Sequence, residues 1–269
     1  MLSRFSRVLV AISSALFAAI ALVMYVFPRY AAAGFPWPIS PLVSMTMGGW
    51  YLAAAITAFE AARRWRWPEV KGLLVFVWIF PILELAVVLV HHSSFDPLAE
   101  LGTLYTGTLC IAALSGLFGF GDWLRVRPAA TLNAHRMPWW LRVFALVFVA
   151  LVGALGLYAL WGVPRGGQVW PSVLQPLAVA AFGAFYLSLA LAVLALVFDR
   201  SAEGIVALAQ VGLLGIVLIL VPAFLFIGRW DFVAKPIGLL YHGAYLLVGA
   251  VTVLMLMWAN RRYRRPDFG

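Results

Sequence analysis

The chain has 269 residues, 65% of them apolar and only 11% charged, and a mean hydropathy of +1.00. Water-soluble domains carry about 25% charged residues, so a soluble globular protein is excluded. The net charge of +9 does not point to nucleic acid, because the basic residues stand between apolar runs instead of clustering on the face of a folded domain.

Eight apolar runs are long enough to cross about 30 Å of hydrocarbon. The first, near 5–27, follows Arg4 and Arg7 and precedes Ala31-Ala32-Ala33, a pattern reminiscent of a cleaved signal peptide. Its apolar stretch, Val8 to Val26, exceeds the 7 to 15 residues of such a peptide, so a retained helix is expected. Pro28, Pro36, Pro38 and Pro41 break the chain before the second run, near 41–62. Glu60 lies near the end of that run, three and four residues before Arg63 and Arg64, where local ion pairing accounts for it.

The third run, near 72–92, carries the most informative residue, Glu84. An ionised carboxylate within a span is costly, so Glu84 should be neutral and hydrogen-bonded between helices, paired, or facing a wet cavity. His91 and His92 follow seven and eight positions later, and the three could form a polar track opening outward. Pro81, one turn before Glu84, removes a backbone donor from the carbonyl of Val77 and should kink the helix.

The fourth run, near 98–120, contains the single cysteine, Cys110, expected to behave as a small buried hydrophobe. The fifth and sixth lie near 138–162 and 175–198. The seventh, near 204–227, contains Pro222, a second kink position that frees the carbonyl of Leu218. The eighth, near 237–259, carries His242 close to its outer end.

The segments around Arg4, Arg63, Arg125, Arg200 and Arg261 hold fifteen of the nineteen basic residues, and Arg29, Arg165, Arg229 and Lys235 hold the other four. By the positive-inside rule both termini should face the cytoplasm, most simply across a prokaryotic inner membrane. Tryptophans near the span ends, among them Trp37, Trp65, Trp67, Trp123, Trp139, Trp140, Trp161, Trp170, Trp230 and Trp258, suit an interfacial belt.

A shift of 135 aligns Arg7-Val8 with Arg142-Val143, Pro41-Leu42 with Pro176-Leu177, Gly48 with Gly183 and Tyr51-Leu52 with Tyr186-Leu187. One residue later Gly102, Tyr105 and Gly107 meet Gly238, Tyr241 and Gly243, and Trp37-Pro38 corresponds to Trp170-Pro171 at a shift of 133. The expected fold is therefore an all-α, eight-helix membrane bundle made by gene duplication. Two parallel four-helix repeats, 1–134 and 135–269, would surround a pseudo-two-fold axis normal to the membrane. The polar residues are not duplicated: Glu84 meets Ile219, His91 meets Phe226 and Thr106 meets His242. Glu100 and Lys235 would bring an acidic edge against a basic one. Gly102, Gly107, Gly212, Gly215, Gly238 and Gly243 are the expected close-packing positions, since helices in lipid associate through small residues.

No nucleotide, zinc-protease or nucleophile-elbow motif occurs, and adjacent His91 and His92 project about 100° apart, poorly placed to chelate one metal ion. Three readings remain. Uniformly apolar spans favour a non-enzymatic scaffold or accessory subunit, with the lipid bilayer and other membrane-protein subunits as partners. A transporter or channel for a proton or small solute would place its pathway at the repeat interface near Glu84, His91, His92 and His242. A membrane oxidoreductase subunit would hold a b-type haem between His91 or His92 and His242. No cofactor is expected on the first two readings.

Overall fold

A computed structural model of the chain describes residues 2–128, 137–161, 174–199 and 202–263. Arg136, Arg165, Trp170, Pro171, Arg200, Arg264 and Arg265 of the charge and repeat patterns lie outside the described residues. Among the described residues eight helices are long and apolar enough to cross a membrane: α1 (Arg4–Val26), α3 (Pro41–Arg64), α4 (Trp67–Val90), α5 (Gly102–Val126), α6 (Trp139–Trp161), α7 (Pro176–Asp199), α8 (Ala202–Leu225) and α9 (Ile237–Tyr263). A short helix, α2 (Pro28–Ala33), follows α1, and among the described residues there is no strand. The chain is consistent with an integral, multi-pass membrane protein.

Local signals set the ends. Ser3 and Ser40 cap α1 and α3 by accepting from the backbone N–H of Ser6 and Val43. Trp65 and Arg127 end α3 and α5 in the left-handed conformation, at φ 44° and 40°. The third span starts at Trp67, five residues before the expected 72, because Pro68 falls in the first turn, where a missing N–H costs nothing, and Glu69 there pairs with Arg66 at 3.0 Å. That span ends at Val90, leaving His91 as the cap residue and His92 in a 3-10 turn. The fourth span starts at Gly102 instead of 98, since the Asp96 carboxylate accepts from the Leu98 N–H at 2.9 Å and holds a turn there.

Within the first half α1 packs on α3 and α5, and α4 on α5. In the second half α6 packs on α7 and α9 on α8. The halves meet where α3 lies against α8, α4 against α7, and α4 against α8. Close backbone approach makes these joints. A Cβ added at Gly48 would stand 2.8 Å from the backbone nitrogen of Tyr25 on α1, and one at Gly49 would stand 2.9 Å from the carbonyl oxygen of Leu218 on α8. Gly156 and Gly183 abut in the same manner between α6 and α7. Apolar burial provides no drive between helices in lipid, so the dispersion attraction across such closely spaced backbones holds them together.

The expected packing glycines divide. Gly215 faces Ala53 across the α3–α8 joint, Gly102 lies under the Asp96–Pro97 backbone and Gly238 under the rings of Trp230 and Phe232. Gly107, Gly212 and Gly243 have open space beside them and are not packing positions. Two residues turn a helix by about 200°, so with Tyr105 inward, Gly107 points out. The same geometry corrects the reading of Cys110, which is exposed while its neighbour Leu109 is buried.

Pro222 sits inside α8 and cannot donate to Leu218, and the Tyr25 hydroxyl on α1 donates to that carbonyl at 3.1 Å. Pro81 is likewise buried within α4. At the end bearing the first residues, Arg7 Nε donates to the Ala62 carbonyl at 2.7 Å and Asp122 accepts from Ser6. Glu60 accepts from Arg63 and Arg64 at 2.7 and 2.8 Å, the local pairing its spacing implies. Among the described residues no ion pair joins Glu100 to Lys235; the Glu100 side chain instead lies against Gly34.

Substituting Gly49 by Leu should destabilise the bundle by about 1–3 kcal/mol through overpacking against the Leu218 backbone. Gly107→Ala should be neutral or stabilising by up to about 1 kcal/mol through helix propensity. Thermal unfolding in detergent measures both.

Candidate functional site

The polar centre of the first half is assembled by three helices. Phe76, Phe80, Glu84 and Val87 recur at helical spacing along α4 and are all buried, so Glu84 continues an inward stripe. Tyr51 from α3 and Tyr105 from α5 project to the same point. The Tyr105 hydroxyl donates to Glu84 Oε1 at 2.7 Å. The Tyr51 hydroxyl stands 3.0 Å from that oxygen and 3.1 Å from the Tyr105 hydroxyl, so its proton can go to either. Glu84 is 1% exposed, and its second oxygen, Oε2, is buried without a hydrogen-bond partner.

Aromatic rings enclose this triad. Below it, the ring of Phe17 on α1 stacks on Tyr51 at 5.9 Å and meets Phe80 at 6.1 Å. Above it, the segment after α2 folds over Tyr105, with Trp37 at 5.3 Å and Phe35 at 5.4 Å, and Phe95 closes from the α4–α5 connection at 6.1 Å. Two backbone bonds fasten that cover: the Asp96 N–H donates to the Pro36 carbonyl at 2.8 Å and the Leu101 N–H to the Gly34 carbonyl at 2.9 Å. A Cβ at Gly34 would stand 2.9 Å from the Glu100 Cβ, so a larger residue there would push the two segments apart. Trp37 is thus a buried lid residue at 1% exposure, not part of a lipid-facing belt, whereas Trp139 and Trp161 are exposed as a belt requires.

The aromatic packing runs on into the second half. Phe185 of α7 touches Phe76 and Phe80, and Trp50 of α3 meets Phe182 edge-on at 4.1 Å and stacks on Phe185 at 4.8 Å. There the Tyr186 and Tyr245 hydroxyls bond to one another at 2.8 Å, and Tyr241 stands 4.9 Å from Tyr245. Ile219, at the sequence position matching Glu84, is buried.

Comparison with known proteins finds no matching family model, curated protein or solved structure. The chemistry must therefore be read from the arrangement itself.

Of the residues the sequence singles out, Glu84 shares no hydrogen-bond partner with the histidines among the described residues. His91 is half-buried just past the end of α4, and exposed His92 turns its Nδ1 to the Leu89 carbonyl at 3.2 Å. His242 is buried on α9 with Nδ1 2.7 Å from the Gly238 carbonyl and Nε2 unpartnered, ringed by Trp230 at 4.7 Å and Phe224 at 5.5 Å. The residues that meet Glu84 are Tyr51 and Tyr105. Both are repeat markers in the sequence, and a buried phenol in an apolar run needs a partner, but nothing in the sequence pairs them with the carboxyl.

Tyr105→Phe should cost about 1–3 kcal/mol of stability, because it removes the shorter donor to a buried acceptor. Tyr51→Phe should cost less, since Tyr105 still reaches Glu84, and thermal unfolding of the two variants in detergent ranks them.

Proposed function

We propose that the chain is a non-enzymatic scaffold or accessory subunit of a membrane complex, built from two four-helix repeats related by a pseudo-two-fold axis along the membrane normal. The observation that carries this reading is the closure of the Glu84 network. Its carboxyl is bonded by Tyr51 and Tyr105 between packed helices, under a lid fastened by two backbone bonds, instead of opening along a track to His91 and His92. A carboxyl held in this manner ties helices together.

The duplicated plan is supported by reciprocal joints. The α3–α8 and α4–α7 contacts exchange under a swap of the halves, Gly48 and Gly183 both mark a close helix approach, and the Tyr51/Tyr105 pair is echoed by Tyr186/Tyr241. The least buried spans among the described residues are α6 and α9, whose outward leucines, such as Leu151, Leu240 and Leu247, offer apolar surface to lipid or to other subunits. The excess of basic residues at the end bearing Arg4, Arg64 and Arg125 supports cytoplasmic termini in a prokaryotic inner membrane. No cofactor is required by this function.

A second reading, transport of a proton or small solute, is favoured by one feature, the unpartnered and buried Oε2 of Glu84.

Glu84→Gln separates the two, since it keeps a carbonyl acceptor for both tyrosines while removing the acid. For a scaffold, proteoliposomes of wild type and variant should show the same proton and solute leak as empty vesicles, and a stoichiometric partner should co-purify from native membrane. A wild-type flux abolished by the substitution would establish transport instead.

A further inference from the structure

Helices α8 and α9 pack on one another. They touch at Gly249, where an added Cβ would stand 3.4 Å from Ile216. From there toward the start of α8 and the end of α9 a groove of about 580 Å³ opens between them. Its walls are single helical faces: Val206, Gln210 and Leu213 at spacings of four and three on α8, and Val253, Met257 and Asn260 on α9. The floor is apolar and the mouth polar, in the size range that accepts small amphiphiles.

The polar mouth is made of donors. Arg64 Nη2 donates to Gln210 Oε1 at 3.0 Å, which occupies the carbonyl of that amide and leaves its nitrogen to donate into the groove. Asn260 supplies a second exposed amide, and Arg261, also exposed, follows it. Arg64 shares the Glu60 carboxylate with Arg63, and Arg66 pairs with Glu69, so three guanidinium groups there stand beside two carboxylates and the balance is positive. Glu203, one turn before Val206, is the acidic residue on the same face of α8, and the described basic residues Arg63, Arg64 and Arg261 outnumber it and Glu60.

We propose that this groove binds one phospholipid, its phosphodiester receiving N–H groups from Arg64, Gln210 and Asn260 while an acyl chain fills the wedge between α8 and α9. A phosphodiester is the group such donors fit, as a negatively charged acceptor with several lone pairs, and the apolar walls continue from it into the membrane. The site is independent of Glu84.

Native mass spectrometry of the full chain tests this after reconstitution in nanodiscs of phosphatidylethanolamine and phosphatidylglycerol. The wild type should retain one phospholipid per chain on release. The pair Gln210→Leu with Asn260→Leu should weaken retention about tenfold with an unchanged melting temperature. Met257→Trp, which fills the wedge and leaves the amides intact, should displace the lipid as well. Leu240→Ala, on the outward surface near the other end of α9, should retain it. Equal retention by all four proteins would overturn the proposal, as would retention by none, or crosslinks placing a second copy of the chain in the groove.

Discussion

A bundle this apolar must satisfy its few polar groups from within, because hydrocarbon offers no hydrogen bonds. Many buried polar groups meet that constraint, whereas the indole N–H groups of Trp37, Trp50 and Trp78 and one oxygen of Glu84 are buried without a partner. Ser13, Thr57, Thr108 and Ser188 return their hydroxyl protons to the carbonyl four residues earlier on their own helices. The carbonyl freed by Pro222 is met by Tyr25 from α1, and the buried carboxyl of Glu84 is met by two phenols from two other helices. The bonds between helices fix relations that apolar side chains, interchangeable in shape, would leave loose.

The two halves obey the constraint differently. In the first, a carboxyl at the centre draws Tyr51 and Tyr105 to one oxygen, and rings from α1, α4 and the Gly34–Ser40 segment pack around the result. In the second, the matching position is Ile219, and the phenols turn to one another through Tyr186 and Tyr245. Exchanging a carboxyl for an isoleucine leaves a hydroxyl to find another acceptor, and Tyr245, one turn beyond Tyr241, supplies it. The second half thus lacks the acid without leaving the Tyr186 and Tyr245 hydroxyls orphaned.

The sequence is most legible where burial has a length scale. Eight runs of about twenty apolar residues correspond to eight helices among the described residues; Pro28 and Pro41 open α2 and α3, and Asp96 lies in the connection between α4 and α5. The start of α4 is hidden by Pro68, which reads as a terminator yet is well suited to a first turn. Glycines are readable only with a helical face in mind: Gly48 and Gly49 lie on faces turned to α1 and α8, whereas Gly107 lies opposite Tyr105. Glu84 can be found from its cost in lipid, but its partners come from helices 33 and 21 residues away in the chain, and no local pattern encodes which faces converge. His91 and His92 follow the end of α4 at Val90, and the hydrogen bonds that Glu84 makes are to Tyr51 and Tyr105.

The bond between Tyr25 and Leu218 spans 193 residues of chain and joins the first crossing helix to the seventh. At about 5–20 residues per second, roughly ten to forty seconds of translation separate the two groups. Through that interval the nascent first helix has to be inserted with its phenol unsatisfied or borrowed by lipid headgroups and water. Assembly of the finished bundle is therefore a late event, which the ribosome delivers only when the helix containing Pro222 arrives to accept a proton that has been waiting since the first helix was made.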